Sequence, residues 1–218
     1  MSNLALPKAI LFDLDGTLID TRELILDSFY AACDEVVGYR LPAESILRLV
    51  GIPLVEQMAE LFPGHEQAMV EAYRRNNALR HDDLVAGFPG TQAALDELAG
   101  RGLPMAVVTS KLHKFAMKGL EFFDLQVYFQ FVIGSDDSTM HKPNPEPLLI
   151  AADRLGLEPE ECFYIGDSPY DMRAAVAADM KAIGVEWGMF SPKSLLEAGA
   201  NVLAPSYSEL TGVLDSVR

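Results

Sequence analysis

Asp13 and Asp15 follow directly on Ala9-Ile10-Leu11-Phe12, an unbroken apolar run that stops abruptly at charge. Such a run reads as a central parallel strand buried on both faces. That puts the two carboxylates at its carboxyl end, the edge where open α/β sheets bind ligands. At i, i+2 the pair projects to one side of an extended chain and can hold a hard cation while one oxygen stays free to attack an electrophile. Gly16 permits the tight turn and close backbone approach that an anion needs. A solvated Asp-Gly turn is the plainer alternative, but a carboxylate emerging from a core is costly unless ligated or paired, so Asp13 requires a partner.

Three further polar clusters supply candidates. Thr109-Ser110 follows the apolar run Ala106-Val107-Val108; a hydroxyl beside the N–H groups that open a helix makes an anion seat, although either residue also serves as an ordinary helix cap. Lys142 lies in His141-Lys142-Pro143-Asn144-Pro145-Glu146-Pro147, where closely spaced prolines hold one ammonium at a fixed place. In Tyr164-Ile165-Gly166-Asp167-Ser168-Pro169-Tyr170-Asp171 another apolar strand ends in an aspartate, and a second aspartate follows one helical turn later. Helix capping explains Asp167 or Asp171 singly, but not the recurrence of acid at the edge that Asp13 and Asp15 already occupy. Clustering four like charges is strongly unfavourable without a cation. Mg²⁺, which takes a few carboxylates with waters and phosphate oxygens, fits this inventory. Thr109, Ser110, Lys142 and the Gly16 amide then cradle a phosphoryl group. Enzymes accelerate phosphate-monoester hydrolysis by up to the order of 10²¹, which calls for a covalent nucleophile, a metal and fixed cations together. The residue types leave open which of Asp13 and Asp15 attacks.

The elements that must position these groups fall into two kinds. After Leu18 the pattern is helical throughout: Ile25, Phe29, Ala32/Cys33 and Val36 recur on one face, with Asp20-Thr21-Arg22-Glu23 resembling a capping box before them. Pro42 and Pro53 open short helices with Ile46, Leu49/Val50 and then Val55, Met58, Leu61/Phe62 inward. A longer helix over 65–84 places Met69, Ala72/Tyr73 and Asn76 on one face. A helical stretch of this length exceeds a crossover and reads as an insertion. From residue 86 strand and helix alternate, with helices over 91–99, 111–123, 145–155 and 169–178, strands over 104–109, 131–134, 162–166 and 181–185, and a last short strand and helix. The fold class is therefore α/β, a doubly wound parallel sheet formed by residues 1–17 and 86–218, with an all-helical cap domain at 18–85.

Composition bounds the partners. The chain has 218 residues, half of them hydrophobic, and a formal net charge of −15 with a pI near 4.5. That field repels nucleic acid and anionic membrane surfaces, and an acidic substrate needs local cations or a metal. Lys8 and a short strand running at once into Asp13 make no signal pattern, and no apolar run reaches membrane-spanning length, so the expected location is cytoplasmic. Cys33 and Cys162 read as free buried thiols.

In this order, Asp13-Leu14-Asp15-Gly16-Thr17, Val108-Thr109-Ser110, Lys142-Pro143 and Gly166-Asp167-Ser168-Pro169-Tyr170-Asp171 resemble the motifs of the haloacid dehalogenase superfamily of phosphotransferases. The resemblance covers essentially the whole chain, including a cap inserted after the first motif. Within the superfamily, His141 to Leu148 and Gly184-Val185-Glu186-Trp187-Gly188 are similar to the phosphoglycolate phosphatase branch and its pyrophosphatase relatives. Thr21-Arg22-Glu23-Leu24 and His81-Asp82-Asp83-Leu84 lean toward the latter. The resemblance implies that Asp13 is the nucleophile forming an aspartyl-phosphate. Asp15 would be the acid and base and would ligate Mg²⁺ through its backbone carbonyl. Asp167 would complete the protein's metal ligands, Asp171 would orient Lys142 or a metal-bound water, and Thr109 would hold phosphoryl oxygens. Arg22, Arg48, Arg74, Arg75, Arg80 and His81 are the cap's candidate anion contacts, with Arg22 and the segment Gly51-Ile52-Pro53 favoured.

The expected activity is Mg²⁺-dependent hydrolysis of a small phosphorylated acid such as 2-phosphoglycolate. Inorganic pyrophosphate is the nearest rival and a sugar phosphate the next. A phosphomutase could use the same site, and so, remotely, could a phosphate-accepting signalling switch, although a switch has no need of so large an insertion. Dehalogenation has no use for the metal site.

Overall fold

The computed structural model describes residues 7–217, so the outer limits of the expected core segments, at residues 1 and 218, lie outside the described residues. In chain order the elements are β1 (Ala9–Phe12), β2 (Ile19–Asp20), α1 (Arg22–Val36), α2 (Ala43–Leu47), α3 (Leu54–Leu61), α4 (Glu66–Leu84) and β3 (Ala86–Gly87). There follow α5 (Thr91–Gly100), β4 (Met105–Val108), α6 (His113–Phe122), β5 (Val132–Ile133), α7 (Glu146–Leu155) and β6 (Cys162–Gly166). The last elements are α8 (Pro169–Ala177), β7 (Lys181–Val185), α9 (Pro192–Glu197), β8 (Val202–Ala204) and α10 (Tyr207–Ser216).

Six strands form one parallel sheet in the order β5-β4-β1-β6-β7-β8. Period-2 alternation along β1 sends Ile10 and Phe12 to one face and Ala9 and Leu11 to the other. Each face carries its own apolar core, the first packed under α5, α6 and α10 and the second under α7, α8 and α9. That two-sided burial is why the strand sequence is unbroken apolar rather than alternating. The chain leaves β1 toward β4 and β5 on one side, then returns to β6, β7 and β8 on the other. The order therefore reverses between β1 and β6, and a crevice opens there beyond the carboxyl ends of the strands, where such sheets bind ligands.

Helices α1 to α4 enclose a third apolar cluster, with Phe29, Met58, Phe62 and Met69 at its centre. The segment enters and leaves through β2 and β3, two-residue strands paired antiparallel, Ile19 with Gly87 and Asp20 with Ala86. The pair is too short to carry any periodicity, and the sequence pattern did not anticipate it or the short α9, which Ser191 caps by accepting from Ser194 N–H at 3.3 Å.

Three local expectations are corrected. Thr21 makes no side-chain cap; instead Asp20 Oδ1 accepts from Arg22 N–H at 3.1 Å. Val55 is exposed, because α3 turns Gln57 and Met58 inward. On α4, Asn77 and His81 join Met69, Val70 and Ala72 inside, while Asn76 is only half-buried. Cys33 and Cys162 are free and buried. Among the described residues no helix is long and apolar enough to cross a membrane.

Candidate active site

Asp13 and Asp167 face each other across the reversal point. Asp13 N–H donates to Ile165 O at 2.9 Å, which carries the β1–β6 pairing one residue past β1. Past Gly166, Ser168 caps α8. Its N–H and hydroxyl donate to Asp171 Oδ2 at 3.0 and 2.6 Å, and Asp171 N–H returns a bond to Ser168 Oγ at 3.2 Å. The capping box leaves the other oxygen of Asp171 free to turn inward, so one aspartate serves both the helix terminus and the site. Carboxylate oxygens of Asp13, Asp167 and Asp171 lie within 4.8 Å of one another, and all three residues are buried.

One cation meets this charge. Lys142 Nζ donates to Asp13 Oδ1 at 2.9 Å, to Asp171 Oδ1 at 2.6 Å and to Tyr164 Oη at 2.9 Å. Burial pulls the ammonium's pKa down, but Asp13 and Asp171 more than offset it and hold the pKa above its ordinary value. Tyr164 Oη donates in turn to Val108 O at 2.8 Å. Burial, then Asp171 and Asp13, push this phenol well above its usual pKa, so it remains a neutral hydrogen-bonding link.

The carboxylates are under-compensated. Burial raises Asp13 to about 7, with Lys142 opposing and Asp171 and Asp15 adding to the rise. Asp167 is also raised well above the usual carboxylate range, by burial and then by Asp171 and Asp13. It accepts one hydrogen bond, from Met189 N–H at 2.7 Å. Three buried carboxylates against one ammonium, with oxygen-only donors, is the donor set a hard divalent cation takes. The backbone is drawn close around Asp167. Gly16 has φ +80°, and a Cβ there would lie 2.3 Å from Asp167 Oδ2. Only glycine meets both demands.

Above these residues lies a cavity of about 380 Å³. Asp13, Asp15, Thr109 and Lys111 border it from the sheet, and the segment from Val50 to Gln57 and the α4 residues Tyr73, Arg74 and Asn77 border it from the helices. Ser110 Oγ donates to Gly51 O at 2.6 Å and Tyr170 Oη to Arg48 O at 3.2 Å, so the turn between α2 and α3 is fastened to the sheet edge.

The family profile of haloacid dehalogenase-like hydrolases matches residues 10–185. The chain belongs to this family. It is 35% identical to pyrophosphatase PpaX of Bacillus velezensis over 208 residues, covering 94% of this chain and 96% of that protein. It is 34% identical to pyrophosphatase PpaX of Listeria innocua over 206 residues, covering 94% and 95%. A crystal structure of a predicted phosphatase from Clostridium acetobutylicum superposes with a TM-score of 0.87 at 29% identity, covering 97% of this chain and 100% of that one. The chain is accordingly a phosphatase of the haloacid dehalogenase superfamily, with that family's α/β fold.

The phosphatase brings Asp13, Lys142, Asp167 and Asp171 into one buried cluster, with Thr109 and Ser110 on the cavity wall above it. Asp15 is outside that buried cluster but borders the same cavity as Asp13. The strand pairing carries on through Asp13, and past Asp15 the chain turns, with Leu14 O accepting from Leu18 N–H at 2.9 Å. Asp13 and Asp15 face the same cavity, as the i, i+2 spacing predicts, and Asp15 Oδ1 pairs with Lys111 Nζ at 2.7 Å at the cavity floor. The Gly16 N–H donates to Ile19 O at 2.8 Å inside that turn, so it is not an anion donor. The Ser110 hydroxyl is likewise committed, to Gly51 O. Arg22 does not border the cavity. It is exposed in the first turn of α1, on the face that meets the loop after β7, with Nη2 3.5 Å from Met189 O. Sequence reasoning passed over Tyr164 and Lys111. A tyrosine inside an otherwise apolar strand was a usable signal, because a buried phenol needs a partner.

Proposed function

We propose that this phosphatase transfers the phosphoryl group of a small anionic substrate to Asp13 and then to water. The observation that carries the reading is Asp13 itself, a buried carboxylate held at 2.9 Å by Lys142 and bordering the cavity between sheet edge and helices. In the first step a carboxylate oxygen of Asp13 bonds to phosphorus and the bond to the leaving oxygen breaks, with Asp15 donating the proton that oxygen needs. In the second step water, deprotonated by Asp15, attacks the same phosphorus and frees the Asp13 carboxylate. Lys142, fixed by Asp171 and Tyr164, offsets the charge that builds beside Asp13, and Thr109 binds phosphoryl oxygens. Asp13, Asp167 and the backbone carbonyl of Asp15 would hold Mg²⁺, which when bound neutralises phosphoryl oxygens as a Lewis acid.

The relatives named pyrophosphatase favour inorganic pyrophosphate as the substrate. A small phosphorylated acid such as 2-phosphoglycolate is the second reading, and the apolar part of the cavity wall, Ile25, Ile52, Leu54, Leu112 and Phe115, favours it. The test is phosphate release from pyrophosphate, 2-phosphoglycolate, sugar phosphates and nucleotides, with Mg²⁺ and with chelator. One of the first two compounds is expected to lead in kcat/KM, and chelation is expected to remove the signal. Turnover that survives chelation would contradict the metal assignment, and turnover that needs a bisphosphate activator would point to a mutase.

A further inference from the structure

The segment from residue 18 to 85 contains six arginines and no lysine. Four of the arginines are ion-paired: Arg40 with Asp34, Arg48 with Glu60 at 2.6 Å, Arg75 with Glu35 at 2.6 Å and Arg80 with Asp83 at 3.1 Å. Arg22 points toward Met189 O. Arg74 has no carboxylate partner among the described residues, and of the six it alone borders the cavity. A guanidinium without a counter-charge, half-buried on the wall of the cavity, is a seat for an anion brought by a ligand.

Its neighbour is prepared for the same purpose. Asn77 Nδ2 donates to Tyr73 Oη at 3.4 Å and to Ser28 Oγ at 3.2 Å, while Ser28 Oγ donates to Leu24 O at 2.6 Å. Tyr73 Oη thus accepts from within the helical segment, and its own proton is left for the cavity. The ring is fixed edge-on against Phe29, with centroids 5.1 Å apart. Burial, with Asp15 adding, raises the phenol's pKa, so it stays a donor. The other charged groups facing the cavity are Asp13 and Asp15 on the floor, Glu56 on α3, and Lys111, whose ammonium is already paired with Asp15 at 2.7 Å; His141 also lines it. A second anionic group therefore has reason to settle against Arg74, the cation there without a carboxylate partner.

We infer that Arg74, with Tyr73 beside it, is the specificity-determining residue of this site, receiving a second anionic group that the substrate carries beyond its transferred phosphoryl. The inference rests on the phosphohydrolase reading above and assigns its substrate class: compounds with two anionic ends, a phosphoryl at Asp13 and a phosphate or carboxylate at Arg74.

The experiment compares kcat/KM for pyrophosphate and 2-phosphoglycolate with that for p-nitrophenyl phosphate, which lacks the second anion, in the wild type, Arg74→Gln, Arg74→Lys and Arg75→Gln. Arg74→Gln is expected to lower the ratio of dianionic to simple substrate about tenfold, through KM, because a charge-assisted bond is lost. Arg74→Lys is expected to recover part of the ratio. Arg75→Gln, which removes the neighbouring ion-paired arginine, is expected to leave it unchanged. A ratio that stays the same in Arg74→Gln, or that falls equally in Arg75→Gln, overturns the inference. Should the wild type hydrolyse none of these compounds, the phosphohydrolase reading itself fails, and the anion seat is judged by equilibrium binding of phosphonoacetate. About tenfold weaker binding in Arg74→Gln upholds the seat, and equal binding overturns it.

Discussion

Asp13→Asn is expected to lower kcat by a factor on the order of 10⁴ or more while leaving the metal-free fold at pH 8 at least as stable as the wild type. The two halves have one cause. The carboxylate is the bond-forming group, so the amide cannot replace it. The same carboxylate is an electrostatic burden in the metal-free protein, since burial, Asp171 and Asp15 raise its pKa from 3.8 to about 7. A carboxyl whose pKa is raised by folding stabilises the fold fully below the unfolded value, and that contribution is lost as pH rises through the folded value. At pH 8 Asp13 is ionised and buried, and the neutral amide removes that penalty. Activity assays and thermal melting in chelator at pH 8 check both halves. Turnover comparable to wild type would remove Asp13 from the chemistry, whereas a collapsed melting temperature would mean that its bond to Lys142 matters more to the fold than its burial.

Lys142→Met should be the most damaging substitution to the fold. The ammonium touches Asp13, Asp171 and Tyr164 in one buried place, and methionine keeps the volume but leaves the carboxylates without their cation. Removing one partner of a buried ion pair costs about 3–5 kcal/mol. The urea midpoint in chelator should fall accordingly, with Mg²⁺ restoring part of it by binding the same carboxylates. An unchanged midpoint would mean that the carboxylates share protons and do not depend on Lys142.

The strands β6 and β7 were readable to the residue, because apolar runs bounded by Gly, Pro and charge leave little freedom in where a buried parallel strand begins and ends. The convergence of Asp13, Lys142, Asp167 and Asp171 was legible for a topological reason. Motifs at the carboxyl ends of strands in a parallel sheet share one edge whatever lies between them. Asp15 faces the same cavity as Asp13, as the spacing predicts, but its partner Lys111 could not be read from the sequence, because the two lie ninety-six residues apart and meet only through the sheet order. The arginines of the helical segment between residues 18 and 85 could not be ranked from the sequence at all. Whether an arginine is free depends on which carboxylate the fold brings to it, as with Arg75 and Glu35, forty residues apart on different helices. Arg22 was favoured for its position near the entrance, but its guanidinium lies against Met189 O and it does not line the cavity.

The most direct measurement is rapid acid quenching of the enzyme during turnover of pyrophosphate or 2-phosphoglycolate with Mg²⁺, followed by intact and peptide mass spectrometry. Passage of the phosphoryl group through Asp13 requires one added phosphoryl per chain, on the peptide carrying Asp13, removable by hydroxylamine and absent from Asp13→Asn. Steady phosphate release with no phosphoprotein at any quench time, or a phosphoryl on another residue, would contradict the account.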